Sequence, residues 1–499
     1  MLGKLYSLQP HVMTASRILD IGCSNASNLL SIASMYPNSQ CVGVDISTEQ
    51  IESGRHMAEQ LSLSNIELIA ANIHDIAEDI APFDYIVCHG VFSWIPIKDR
   101  QPLLTSIKKL LNPQGLVYLS YNALPGWEAR GSLRQLMLLQ TADISDQKDK
   151  VISARELMKW LAETLCDDQS PYGRSLKNEV ENIKDQSDSF VLHELLNPDT
   201  TALSLPAFLR EIEAARLRFV CEARFSRTLI HRINELNEIA VDKAILAIEK
   251  HKPLMIEQFL SFIFPSALRR SVLCHSHVSL DYKVNWQSIA SFHISSALLP
   301  VANPDYQRSI PDEYASPHGY MIEVQEPLHK HALSALGKAW PQAISFDSLL
   351  SEISSIDCSH SKEHTKEQLI LFLKDFYCKD LVEFYVTAPA ISLKAASQPV
   401  VLPLARLQLS QQNWATNLRH EYVVLNEFER SLAQLCDGSR SVVQLAEELL
   451  IQVNNGRLQV AVSGVTVIDP NHQQQLITEY LPEALEELAQ KALLAKSSR

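Results

Sequence analysis

Glycine is scarce in this chain of 499 residues, with only 14 in all. One of them, Gly22, sits in Arg17-Ile18-Leu19-Asp20-Ile21-Gly22-Cys23-Ser24-Asn25-Ala26-Ser27-Asn28, where an apolar run gives way to small and polar residues. Small residues at such a joint let a ligand approach the backbone closely. Asp45 closes the next apolar run, and a carboxylate there can accept both hydroxyls of a ribose. An ordinary turn with a solvated aspartate fits the same residues. Two further segments combine hydrogen-bonding and aromatic groups: His89-Gly90-Val91-Phe92-Ser93-Trp94 and Ser120-Tyr121-Asn122-Ala123-Leu124-Pro125-Gly126-Trp127. Indole and phenol faces attract cations, and a carboxamide offers both a donor and an acceptor.

No metal site is expected. Cys358, His360 and His364 lack a partner pair at ligand spacing, as does Cys274-His275-Ser276-His277. His329 and His331 flank Lys330 in what reads as a polar helix start or loop. His193-Glu194 reads as structural, in a helical stretch far from Gly22 in sequence, and Arg269-Arg270 as partners for acids.

The elements around these residues set their places. Ile18–Ile21, Cys41–Val44, Ile66–Ala70, Tyr85–Cys88 and Leu116–Ser120 are apolar runs with little polar alternation, the pattern of strands buried on both faces of a parallel sheet. Helical patterns separate them. One is capped by Ser47 with Gln50 and runs to Leu61; another spans Gln101–Leu111 and stops at Asn112-Pro113-Gln114-Gly115. Repeated strand-helix-strand units predict a doubly wound, Rossmann-like α/β sheet whose ligands bind at the carboxyl ends of its strands. That edge holds Asp20, Asp45, His89 and Asn122. Leu217–Glu222 reads as a late strand of the same sheet, after helices inserted over about 131–200. The segment 276–330 is poorly periodic, and Leu381–Val386 and the hairpin Leu458–Ile468 are short strands among helices.

Lys+Arg number 44 and Asp+Glu 58, a net charge of −14, which argues against a general binder of nucleic acid or anionic membrane. Nine scattered cysteines without a Cys-x-x-Cys pair fit a reducing compartment. Neither a secretory signal nor an apolar run long enough for a membrane span is visible. The expectation is a cytoplasmic protein.

The order acid-x-Gly-x-small, then Asp45, then Asp84-Tyr85-Ile86-Val87, then Asn-Pro-x-Gly before a fifth strand resembles class I S-adenosylmethionine-dependent methyltransferases. The two aromatic segments resemble bacterial members that carry a methyltransferase regulatory domain, a group that includes lysine methyltransferases acting on outer-membrane proteins. His193-Glu194, Phe208–Glu222, Glu257-Gln258-Phe259-Leu260 with Arg269-Arg270, Thr416-Asn417-Leu418-Arg419-His420 and Leu435-Cys436-Asp437-Gly438 extend the likeness over nearly the whole chain. The resemblance implies S-adenosyl-L-methionine as cofactor, held by Asp20, Gly22, Ser24, Asp45, Ile46, Asn72, Ile73 and His89. Asp20 would lie near its ammonium group and Asn72-Ile73 near its adenine. The acceptor implied is a protein lysine, or a small amine, held for in-line transfer near Tyr121 and Asn122, with His89 and Trp94 lining the crevice. The organisation expected is a cofactor domain over 1–130; a helical insertion over 131–200 offering a homodimer contact; a regulatory segment over 201–275 completing the sheet; a middle α+β domain over 276–400; and a mainly helical, winged-helix-like α+β domain over 401–499.

Two other readings compete. The family commonly has Gly where this chain has Ala26 and Ser27, and side chains filling the hollow there would leave a cofactor-free binding or regulatory protein. A nicotinamide-dependent oxidoreductase would prefer three glycines to hold a pyrophosphate, and only Gly22 is present.

Overall fold

The structure is a computed structural model, describing residues 1–76, 80–228, 253–280, 282–317, 319–356, 361–462 and 465–496. Its centre is a seven-stranded sheet: β1 (Arg17–Ile21), β2 (Gln40–Asp45), β3 (Ile66–Ala70), β4 (Phe83–Cys88), β5 (Leu111–Asn122), β6 (Leu217–Glu222) and β7 (Leu268–His275), in the order β3-β2-β1-β4-β5-β7-β6. The first five strands pair in parallel, and β7 runs antiparallel between β5 and β6. The Asn112–Gly115 turn survives as an interruption inside β5. Pairing jumps from Phe83↔Leu111 to Tyr85↔Leu116, leaving the four residues between them outside the ladder.

Both faces of the sheet are covered, which is why its strands read as continuous apolar runs. On one face Leu19, Val42, Ile86, Val117, Leu119 and Tyr121 pack against the helices Ile97–Leu110 and Leu205–Ala214. On the other, Ile18, Cys41 and Leu68 meet the helices Ser27–Met35 and Thr48–Gln60. Ser47 caps the latter by accepting the Gln50 N–H. Val220, Cys221, Val272 and Cys274 continue that second face into the core of the middle region, with Phe292, Tyr314, Leu333 and Phe372.

The helices Glu128–Gln140, Gln147–Thr164 and Pro171–Ile183 share a core of their own, including Leu133, Met137, Ala154 and Val180. The segment 276–330 is not mere connection. Leu299–Pro300, Asp312–Ala315 and Met321–Val324 form a three-stranded antiparallel sheet, its strands too short to show an alternating pattern in sequence. Towards the C-terminus, the helices Pro403–Gln411, Glu427–Leu435, Val442–Asn454 and Pro470–Gln490 pack around Leu432, Leu445, Leu449 and Leu485. Two hairpins accompany them, and the second, Ala461–Val462 with Val465–Thr466, lies inside the span expected for one.

This last unit is fastened to the rest through the loop 416–421. Arg419 stacks on Trp340 at 4.0 Å, is 2.7 Å from Glu383, and also pairs with Glu421. His420 is bonded to Ser31 of the helix behind Gly22 at 3.0 Å. Leu404 joins the core of that same helix.

Candidate active site

The carboxyl ends of β1, β2, β4 and β5 meet along one edge, and the pairing register says which side chains share a face. Asp20 stands beside Val87, and Val87 beside Tyr118. Side chains alternate along a strand, so Ser120 and Asn122 project from the same face as Asp20. Tyr121 projects from the opposite one. It is buried in that core, its ring stacked 4.0 Å from Phe208. The expectation that Tyr121 walls the crevice is therefore corrected: strand alternation turns it into the core.

Gly22 begins the turn at φ +73°, and a Cβ there would stand 2.3 Å from Val91 Cγ2. No larger residue fits between this turn and the loop after β4. The turn continues through Ser24 (φ +51°) and Ala26 (φ +59°), left-handed backbone that costs a residue with a Cβ roughly 1–2 kcal/mol. The fold, rather than glycine, enforces this shape. The Ala26 methyl is fully buried with Leu29, Leu30, Ile51 and Leu68 between helix and sheet. Ser27 is exposed and its hydroxyl turns to Asn25 Oδ1 at 2.7 Å. Neither side chain fills the hollow, which removes the physical ground for the cofactor-free reading.

Asp45 faces the turn. Its two oxygens accept the N–H groups of Ser24 and Ser47, each at 2.9 Å, which fixes its direction and leaves lone pairs over. Ser24 Oγ bonds Gln50 at 3.2 Å. Ile46, next in sequence, is 79% exposed, an apolar surface suited to a flat base. Asn72 is exposed, with Oδ1 on the His74 N–H, and Ile73 is buried in the core. Asp20 is only 5% exposed, and its one side-chain partner among the described residues is the neutral Asn28 amide at 3.3 Å. Burial, reinforced by the nearby Asp45 and opposed by the Asn28 bond, pushes its pKa up to about 6. A buried carboxylate without a countercharge favours a cationic ligand.

The loop after β4 is held from two sides. Ser120 Oγ accepts the Gly90 N–H at 2.9 Å, and Ser93 Oγ accepts the Asn122 N–H at 2.8 Å. The exposed His89 faces Tyr118 at 5.7 Å, and burial of its ring together with the Arg270 charge holds its pKa below the usual value. The Trp94 indole lies over Gly90, whose absent Cβ would be 3.9 Å from it. Asn122 is 3% exposed and its Nδ2 has no partner among the described residues.

Sequence reasoning set His193-Glu194 aside as remote, and the structure corrects this. Glu194 accepts the Trp94 Nε1–H at 2.7 Å, and His193 stacks on the same indole at 5.9 Å and 12°. Glu194 in turn faces Arg130 at 3.7 Å. The adjacent acidic residue and the indole donor were the available signal; a separation of 100 residues hid it. Arg269 does pair with acids, reaching Glu222 at 2.9 Å and also Glu257, all three buried. Trp127 is buried beneath the Arg130 guanidinium, a packing role.

Among the described residues no cluster of His, Cys, Asp and Glu could hold a metal ion. Cys274 is in the core and His275 is bonded to the Leu111 carbonyl at 3.0 Å. Cys358 and His360 lie outside the described residues. His329 and His331 are on the helix Pro327–Ala339. Among the described residues no helix is long and apolar enough to cross a membrane.

Known proteins agree with this arrangement. A methyltransferase domain family matches residues 14–196, a predicted methyltransferase regulatory domain 187–275, and the PKMT C-terminal winged helix domain 397–493. Uncharacterized protein RP028 of Rickettsia prowazekii (strain Madrid E) is 37% identical over 42% of this chain and 85% of its own length. Uncharacterized protein RP789 of the same organism is 24% identical over 99% of this chain and 89% of its own. Among solved structures, PKMT2 from Rickettsia typhi, alone and in complex with AdoHcy, has the same fold, with a TM-score of 0.88 at 24% identity over 99% of this chain and 97% of that one. The single-glycine turn, the regulatory segment that completes the sheet and the winged helix behind it place this chain among the S-adenosylmethionine-dependent methyltransferases that carry a methyltransferase regulatory domain.

Proposed function

We propose that the chain methylates the side-chain amine of a lysine on a protein. The observation that carries this reading is the Asn122 amide, buried on the face it shares with Asp20 and, among the described residues, left with one end unpartnered. A carboxamide can present either its carbonyl or its NH2 to the same place, and a carbonyl there accepts a hydrogen bond from an incoming amine. The indole of Trp94, next in sequence to the Ser93 that holds the Asn122 N–H, favours a cation, while an apolar wall would lower the pKa of a lysine ammonium and so free the lone pair that must attack.

Donor residues follow on the same edge. Asp45 is aimed where a ribose would lie, Ile46 and the backbone at Asn72-Ile73 where a base would lie, and Asp20 where an ammonium would lie. Gly22 and Ser24 supply the close backbone. S-adenosylmethionine, when bound, supplies an electrophilic methyl on a sulfonium, and the residues above align the partners rather than activate the donor. His89, its pKa held below the usual value by burial of the ring and by the Arg270 charge, lines this edge. The PKMT winged helix at 397–493 and the fold shared with PKMT2, solved with AdoHcy, support the choice of a protein lysine.

The test uses a labelled methyl donor and a panel of lysine-containing polypeptides, with products located by mass spectrometry. Methyl label on lysine is expected. Asn122→Ala should cut turnover at least tenfold while the affinity for S-adenosylhomocysteine stays within about twofold. Label on another residue type would refute the acceptor, and equal loss of turnover and affinity would move Asn122 to cofactor support.

A further inference from the structure

The methyl donor's amino-acid end is a zwitterion, and Asp20 answers only its positive half. The negative half calls for a cation on the face that carries Asp20. Arg270 is on it. It stands opposite Ser120 in the β5–β7 ladder, and Ser120 projects on the Asp20 face with its hydroxyl on the Gly90 N–H. Arg269, its neighbour, alternates to the other face and is consumed by Glu222 and Glu257. The Arg270 backbone N–H donates to Glu222, but its guanidinium is exposed and has no hydrogen bond or ion pair among the described residues. Three strand spacings of about 4.8 Å and two residues of about 3.3 Å separate Asp20 from Arg270, about 16 Å between backbones. The guanidinium shortens that gap. Its charge is felt by Tyr118 and by His89 of the loop after β4, groups on β5 and just past β4, the two strands that stand between β7 and β1 in the sheet order.

We propose that Arg270 binds the α-carboxylate of the methyl donor, opposite Asp20, making the two residues a pair that grips the donor's amino-acid end. A guanidinium meets a carboxylate in a bidentate fork. An uncommitted arginine in a chain of net charge −14 also gives the crevice a local positive field for a carboxylate to enter. The inference rests on the cofactor assignment and adds to it a residue on the seventh strand, beyond the first five that hold the other contacts.

The experiment is calorimetry at low salt on wild type, Arg270→Gln and Arg270→Lys. Each is titrated with S-adenosylhomocysteine and with 5′-methylthioadenosine, which lacks the amino-acid end. Arg270→Gln should weaken S-adenosylhomocysteine about tenfold, the loss of a charge-assisted bond, and leave methylthioadenosine unchanged. Arg270→Lys, which keeps the charge without the fork, should fall between. Unchanged affinity for S-adenosylhomocysteine overturns the proposal, and a raised KM for the acceptor in that variant would assign Arg270 to a carboxylate on the acceptor protein instead. Equal weakening of both ligands also overturns it, because only a general distortion does that. Wild type that binds neither ligand would sink the cofactor assignment itself, a result distinct from failure of Arg270 alone.

Discussion

Asp20→Asn should make the free protein more stable and the donor site worse. The carboxyl is 5% exposed with one neutral partner at 3.3 Å, and its pKa is pushed up to about 6 from 3.8. The folded value lies above the unfolded one, so between about pH 4 and 6 the folded chain holds a proton that the unfolded chain has lost. Stability therefore falls as pH rises through that window and levels off above it. The difference of about two pH units corresponds to about 3 kcal/mol at pH 7, an upper figure. Asparagine keeps the shape and the contact with Asn28 and removes the charge. Denaturant unfolding at pH 7 should show Asp20→Asn more stable by 1–3 kcal/mol, with the gain gone by about pH 4. Binding should move the other way. At pH 5 only about a tenth of Asp20 is ionised, so wild-type affinity for S-adenosylhomocysteine should drop about tenfold between pH 7 and 5. The variant should be weak and flat across that range. A destabilised Asp20→Asn protein, or a pH dependence that persists in it, would refute the argument that an uncompensated buried charge waits for the donor's ammonium.

Gly22→Ala should abolish donor binding and destabilise the cofactor domain. The 2.3 Å approach to Val91 adds an overpacking cost of about 1–3 kcal/mol to a left-handed backbone cost of about 1–2 kcal/mol. Wild-type affinity in that variant would refute the packing argument. Arg269→Met should lower stability by about 3–5 kcal/mol at neutral pH, because it removes the guanidinium that the buried Glu222 and Glu257 share. Acidification should lessen the deficit by protonating a carboxylate, and a loss under 1 kcal/mol in denaturant unfolding would show that the carboxylates find other partners.

The sheet was legible because its first five strands are buried on both faces and so carry unbroken apolar runs. β7 was not read as a strand, since Leu268-Arg-Arg-Ser interrupts the run with charges that have meaning only once Glu222 and Glu257 are placed around Arg269. The tight turn after β1 was legible through Gly22, and Asp45 does face it. Whether Ala26 and Ser27 obstructed it was not, because that depends on which way two Cβ atoms point, and the left-handed φ at Ala26 turns its methyl into the core. Tyr121 and Asn122 were read as neighbours in one crevice, yet a strand sends them to opposite faces. Glu194 escaped because its partner Trp94 arrives from a different strand-loop unit.

The junction at 416–421 gives the winged helix a fixed bearing. Arg419 is clamped between Trp340 and Glu383, while His420 and Leu404 reach the very helix that backs the single-glycine turn. A module on a slack tether raises only the local concentration of whatever it grips. One bolted at two points sets an angle and a range as well. A polypeptide seated on the winged helix would thus be held at a set angle to the helix behind Gly22, like a workpiece in a jig.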